Sequence, residues 1–253
     1  MNLYCRIPFG RQHSHAPEVI KLARKIGRTP GSVAMKLNNF TSLDHREKSR
    51  GIRGLTSVSR LDRQVWSEFH EDWEKLAEES EKLWQSKIEC RSGEISKNNI
   101  VQETNLTKTT GPKIEHTGPT EGERMTLVRY AQGFFRRTVL TAYGVRCCIS
   151  GLPVPDLLIA SHILPWSQFP KHRVNPRNGL CLSRLHDAAF DQGLIAIDSE
   201  YRLMLSGKLK EYLPNDSLQQ NFISFQGYEI RMPEKFLPEP DFLSYHRRHI
   251  FRG

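Results

Sequence analysis

Three side chains within one stretch of this 253-residue chain, residues 146–198, have types and an order that could do chemistry: His162, Asn178 and His186. A neutral imidazole titrating near pH 7 can take a proton from water, and a second imidazole can hold a metal ion. A carboxamide both donates and accepts, which suits it to bridge two backbone segments. Phosphodiester hydrolysis needs such a set. The ester oxygens are already anionic, so a divalent cation must offset charge on the phosphate and the departing oxygen while a base activates water. These donor types do not choose among Mg²⁺, Mn²⁺ and Zn²⁺.

The elements around the three residues can be read locally. Leu157-Leu158-Ile159-Ala160 is a short apolar run of the kind that forms a buried strand, and Pro165 limits its continuation past His162. Residues 167–179 are rich in turn formers, and Gly179 to Ser183 reads as the returning strand. Ser183 is positioned to cap a helix, RLHDAAFDQ, that Gly193 can end. On that helix Leu185, Ala188 and Ala189 are expected to form the packing side, with His186 projecting from the first turn toward the hairpin that carries His162.

The arrangement Cys148-x-x-Gly151, Ser161-His162-Ile163-x-Pro165-Trp166, Asn178-Gly179-Leu180-x-Leu182 and His186-x-x-x-Phe190-Asp191-x-Gly193 resembles the His-Asn-His (HNH) endonucleases, and within them the bacterial restriction-type branch. The resemblance implies a strand, strand, helix unit gripping one divalent cation, the ββα-metal finger. It also implies that His162 is the general base, that Asn178 ties the hairpin loop and that His186 is a metal ligand. Many members carry Asp or His directly before the base, where this chain has Ser161, and Asp191 is the candidate replacement ligand. The implied metal set is therefore His186, Asp191 and Ser161. Gln132-Gly133-Phe134-Phe135-Arg136 resembles the leader helix of the same branch, and Gln132, Arg136 and Arg137 are candidate DNA contacts, although the two arginines could equally pair with Asp156 or Asp187. The terminal FLSYHRRHIFRG resembles its closing helix, with His246 and His249 expected on the surface.

The rest of the chain frames this unit. The net charge is +9, with 12 Lys and Arg against 3 Asp and Glu in residues 1–60, 8 against 14 in 61–123 and 17 against 11 in 124–253. Two basic blocks around an acidic middle suit a polyanion held at both ends, or simply two soluble basic surfaces. In residues 17–40, two short helical patterns meet at Gly27, and Thr29 before Pro30 is a helix-start signal. Ala23, Gly27 and Val33 resemble the helix-turn-helix pattern, which would place Arg28, Thr29, Ser32 and Lys36 near a DNA-facing surface. Residues 41–60 read as a polar connector. From Leu61 one long helix is expected, with Leu61, Val65, Phe69, Trp73 and Leu76 on one side and glutamates on the other, a face that a second copy could cover.

The expected fold is therefore α+β. It has a basic helix-turn-helix-like module in residues 1–60, an acidic amphipathic helix in 61–90 that offers a homodimer contact, a flexible linker in 91–123 and an HNH nuclease domain in 124–253. Five irregularly spaced cysteines without a C-x-x-C pair favour buried thiols and a reduced, cytoplasmic setting. No apolar run is long enough for a bilayer, so no membrane partner is expected. Double-stranded DNA is the implied partner and Mg²⁺ or Mn²⁺ the implied cofactor, with Zn²⁺ open. Two other readings stay in play: a non-catalytic DNA-binding regulator with a degenerate metal site, and a structural metal domain using His186 with cysteines.

Overall fold

The computed structural model describes residues 1–92 and 121–253, so the expected linker lies almost wholly outside the described residues. The fold mixes helices with two small antiparallel sheets. N-terminal to the gap are α1 (Asn2–Arg6), α2 (Pro17–Ile26), α3 (Pro30–Thr41), α4 (His45–Ser49), α5 (Arg60–Glu71) and α6 (Trp73–Ser92). After it come α7 (Glu121–Ala142), β1 (Leu158–His162), β2 (Gly179–Ser183), α8 (Arg184–Asp191), β3 (Ile195–Ile197) and β4 (Leu203–Leu205). Two short helices, α9 (Gly207–Lys210) and α10 (Asp216–Asn221), precede the closing α11 (Pro240–His249).

Strands β1 and β2 pair with Leu158 opposite Ser183 and His162 opposite Gly179, which puts the first histidine at the hairpin's loop end, beside residues 163–178. The chain turns directly from β2 into α8 because the Ser183 hydroxyl accepts from the His186 amide and caps the helix. Gly179 has to be glycine. A Cβ there would stand 2.4 Å from Val139 Cγ2 and 2.9 Å from the Phe135 ring, so α7 packs directly onto the strand's backbone. At the far end of α8, Gly193 adopts φ 68° under the Ile250 carbonyl, where a Cβ would approach to 2.0 Å.

Three expectations need correction. The buried side of α8 is His186, Ala189 and Phe190, while Leu185 is 48 % exposed and Ala188 is exposed. The helix is thus rotated from the apolar face first assigned, and its cleft-facing residues are Asp187 and Asp191, one turn apart. The single long helix from Leu61 is two helices, because Asp72 leaves helical geometry (φ −135°, ψ 85°) and its carboxylate caps the next one through the Lys75 amide at 2.9 Å. His246 is not a surface residue: its side of α11 turns inward, and the ring is 1 % exposed, stacked on Phe190 at 3.7 Å.

The N-terminal helices do not stand apart from the C-terminal half. The Lys235 ammonium, 3 % exposed, donates to the carbonyls of Tyr4 (2.9 Å) and Ile7 (3.2 Å) and lies 3.7 Å from the centre of the Tyr4 ring. Trp73 meets Phe236 edge-on at 5.4 Å, and Arg50 reaches the Glu234 carbonyl at 3.3 Å. One apolar core runs from Tyr4 and Val19 through Phe134 to Leu243. A module sampling DNA independently of the nuclease unit, as a flexible tether would allow, is not what these contacts build. The acidic helix likewise finds cover within its own chain, where α6 packs on α7 with Trp73, Leu76 and Ala77 buried.

Candidate active site

A cavity of about 370 Å³ opens beside the hairpin's end, lined by Ser161, His162, Pro165 and Trp166 from the hairpin, Asp187 and Asp191 from α8, and His246 and Ile250 from the C-terminal segment. His162 is fixed on three sides. Its ring stacks on Phe135 at 4.1 Å, meets Trp166 edge-on at 5.2 Å and brings Nε2 to 2.9 Å from the Arg173 carbonyl. A carbonyl only accepts, so Nε2 carries the proton and Nδ1 presents a lone pair. Burial pushes the imidazole below its ordinary pKa, against the opposing pull of the Arg173 carbonyl and the Asp187 charge. Burial thus favours the neutral ring, the state that a general base needs.

Asn178 is 1 % exposed and works behind the cavity. Its Oδ1 accepts from the Leu164 amide at 2.8 Å, and its Nδ2 donates to the carbonyls of His172 (3.1 Å) and Leu164 (3.5 Å). It thus ties both ends of the loop whose Arg173 carbonyl orients His162. Arg173 is itself held by its donation to the Trp166 carbonyl at 2.8 Å and by its stacking over the Trp166 ring at 5.0 Å.

His186 stands elsewhere. It is 1 % exposed, with Nε2 2.8 Å from the Asn221 carbonyl and Nδ1 2.9 Å from Ser183 Oγ and 3.5 Å from Cys147 Sγ. Burial would lower its pKa, but the Cys147 thiol and the Asn221 carbonyl outweigh it and raise it. Conversely, burial would raise the Cys147 thiol, and bonds from His186 and Ser150 bring it down to about 6. With both nitrogens engaged inside the chain, and His186 absent from the cavity lining, the ring turns no lone pair toward the cleft. The expectation that His162 and His186 face one cleft is therefore not met, and the implied ligand set fails at His186. Cys148 and Cys181 are buried free thiols whose pKa values burial raises, and among the described residues no group of three His, Cys, Asp or Glu side chains could enclose an ion.

The cavity does offer other donors. Asp191 and its neighbour Asp187 crowd two carboxylates together, and partial withdrawal from water, with the Asp187 charge, pushes Asp191 up to about 6. Ser161 Oγ is buried without a hydrogen-bond partner among the described residues. Oxygen donors of this kind fit a hard divalent cation that completes its shell with water and phosphate. The sequence offered Asp187 only as a possible partner for Arg136 or Arg137, yet the signal for its place beside Asp191 was present, because the two share a helix face at a four-residue spacing.

The DNA-contact candidates divide. Arg136 is turned inward, donating to the carbonyls of Leu158 (2.7 Å) and Pro155 (3.1 Å), and so fastens α7 to β1 instead of facing phosphate. Neither Asp156 nor Asp187 is its partner in these bonds. Arg137 lines a groove of about 550 Å³ against the N-terminal helices, and His162 is not among that groove's lining residues. Gln132 is exposed on α7. Thr29 accepts from the Ser32 amide at 3.2 Å, and Ser32 Oγ returns a bond to the Thr29 carbonyl at 2.8 Å, so both hydroxyls cap α3. Lys36 is paired with Asp62 at 2.9 and 3.1 Å, while Arg28 is exposed.

A hairpin running straight into a helix, with an oriented imidazole at the hairpin's end and two carboxylates lining the same cavity, is a unit with the groups that water activation calls for. Residues 147–198, which contain that unit, match the family model described as HNH endonuclease. No curated protein matches the chain. The C-terminal half thus carries an HNH domain, and the match supports nuclease activity with DNA as substrate. Among the described residues no helix is long and apolar enough to cross a membrane.

Proposed function

We propose that the protein is a divalent-metal-dependent DNA endonuclease in which His162 activates the attacking water. The observation that carries this reading is the ring's tether: Nε2 is held by the Arg173 carbonyl, which leaves Nδ1 basic at the mouth of a cavity that also presents two carboxylates. Asn178 keeps that tether in place, and Asp187 favours the imidazolium formed when the proton arrives. A divalent cation, when bound, would offset charge on the phosphate and the leaving 3′ oxygen. Asp191 and Ser161 from the expected ligand set stand where they could hold it, and Mg²⁺ or Mn²⁺ suits oxygen donors better than Zn²⁺ does. A restriction-type role in bacterial defence follows from the branch resembled, with Arg28 and Gln132 the free candidates for DNA contact. Cutting both strands calls for two such sites, which a homodimer would supply; a dimeric mass in light scattering is the expected result.

A second reading has a specific observation behind it. His186 is sewn into the core and no three-ligand cluster exists among the described residues, which suits a DNA-binding regulator with a degenerate metal site. Plasmid DNA incubated with Mg²⁺ or Mn²⁺, beside a chelated control and a gel-retardation assay, separates the two. Metal-dependent nicking supports the nuclease. Retardation without nicking supports the regulator. In either case binding should weaken steeply with salt, because phosphate contacts release counterions.

A further inference from the structure

Ser161 and His246 both line the cavity, and among the described residues neither Ser161 Oγ, on a residue 2 % exposed, nor His246 Nδ1, on one 1 % exposed, has a hydrogen-bond partner. A buried polar atom left unpaired forfeits its hydrogen bonds to water with nothing in return, so each asks for a reason. His246 belongs to α11, outside the segment matched by the family model, and its position is heavily specified. The ring lies flat on Phe190 at 3.7 Å and 8°, and its Nε2 is 3.1 Å from the Phe190 carbonyl. That carbonyl fixes the proton on Nε2, so the unpartnered Nδ1 carries a lone pair. A histidine whose other nitrogen donates to a carbonyl is the usual oriented state of a metal-ligating imidazole. Packing alone gives no account of the imidazole, since a phenyl ring would fill the same stack without stranding a nitrogen.

The carbonyl that orients His246 belongs to the residue directly before Asp191, so imidazole and carboxylate are set by adjacent atoms of one helix end. We propose that His246 Nδ1 and the Asp191 carboxylate are the protein ligands of a divalent cation in this cleft, with Ser161 Oγ bound to one of the cation's waters. The inference rests on the nuclease reading for the cation's use but not for its detection. Two protein ligands agree with the lack of a three-residue cage among the described residues, the remaining positions being filled by water and, in the complex, by phosphate. A nitrogen donor in the set also shifts preference from Mg²⁺ toward Mn²⁺.

The test observes the ligand atoms directly. In the full chain labelled with ¹⁵N at histidine, titration with Zn²⁺ as a diamagnetic probe should move the Nδ1 resonance of His246 and leave both nitrogens of His186 in place. Mn²⁺ binding measured by calorimetry should be at least tenfold weaker in Asp191→Asn and in His246→Gln, each checked for an unchanged fold by its melting curve. A cation that shifts His186 instead, no resolved shift at His246, or no binding at all would overturn the assignment. Binding as described by a protein that never cuts DNA would leave this site standing while the nuclease reading fails.

Discussion

His162 and His186 each bring Nε2 to a backbone carbonyl, that of Arg173 at 2.9 Å and that of Asn221 at 2.8 Å, and they differ at the other nitrogen. For His162 no partner among the described residues takes Nδ1, and burial favours the neutral ring. For His186, Ser183 and Cys147 take Nδ1 and the pKa rises. One ring is left able to accept a proton, and the other is used as a cross-link between α8 and the segment 221–225, where Phe222 and Phe225 close over it at 5.3 and 6.2 Å. The lesson is that a histidine's chemistry is decided by its second nitrogen, which residue type and spacing do not reveal.

Substitutions can break or sharpen that contrast. The largest effect belongs to the cleft: His162→Ala should lower the DNA cleavage rate by roughly 10²–10⁴-fold, the usual worth of a general base, in a time course at saturating metal. Behind it, His186→Ala removes a cross-link and strands the Asn221 carbonyl, so urea denaturation should show a loss of about 2–4 kcal/mol. Asn178→Ala joins the two regions. It leaves the Leu164 amide without an acceptor and releases the loop that carries the Arg173 carbonyl, so about 1–3 kcal/mol of stability should go together with a fall in kcat.

Lys235→Met tests the docking of the N-terminal helices. Burial brings this ammonium from its ordinary 10.5 down to about 8, while the Cys5, Glu47 and Asp44 charges oppose the shift. Between those values the unfolded chain binds the proton more readily than the folded one, so stability should rise with pH across that window in the parent. Denaturation at both ends of the window should find that slope missing in the variant. The smallest effects are expected at the N-terminal surface. Lys36→Ala removes a half-exposed ammonium from the buried Asp62, which keeps its bonds from Asn39 and Ser59, and should cost about 1 kcal/mol, with DNA affinity unmoved, whereas Arg28→Ala should reduce the salt slope of binding by about 1.

Much of the hairpin and its helix was legible because local signals fix it. Pro165, Gly179, Ser183 and Gly193 punctuate the chain where the structure does, and the Thr29-Pro30 start of α3 is where it was expected. The facing of α8 was not legible. Choosing the apolar set Leu185, Ala188 and Ala189 overlooked that His186, Ala189, Phe190 and Gly193 also fall on one face, and the polar member of that face is satisfied by Asn221, 35 residues away. The break at Asp72 could have been found from an Asp with a capping reach to Lys75. The roles of Lys235 and His246 could not, since their partners are Tyr4 and Phe190, 231 and 56 residues distant.

The contrast between the two imidazoles is tested most directly by single-turnover cleavage of plasmid DNA with Mn²⁺, run on the parent, His162→Ala and His186→Ala below each protein's melting temperature. The account predicts that the folded His186→Ala protein cuts at a rate within about tenfold of the parent while His162→Ala cuts at least a hundredfold more slowly. Loss of cutting by a folded His186→Ala protein with undiminished cutting by His162→Ala would contradict it.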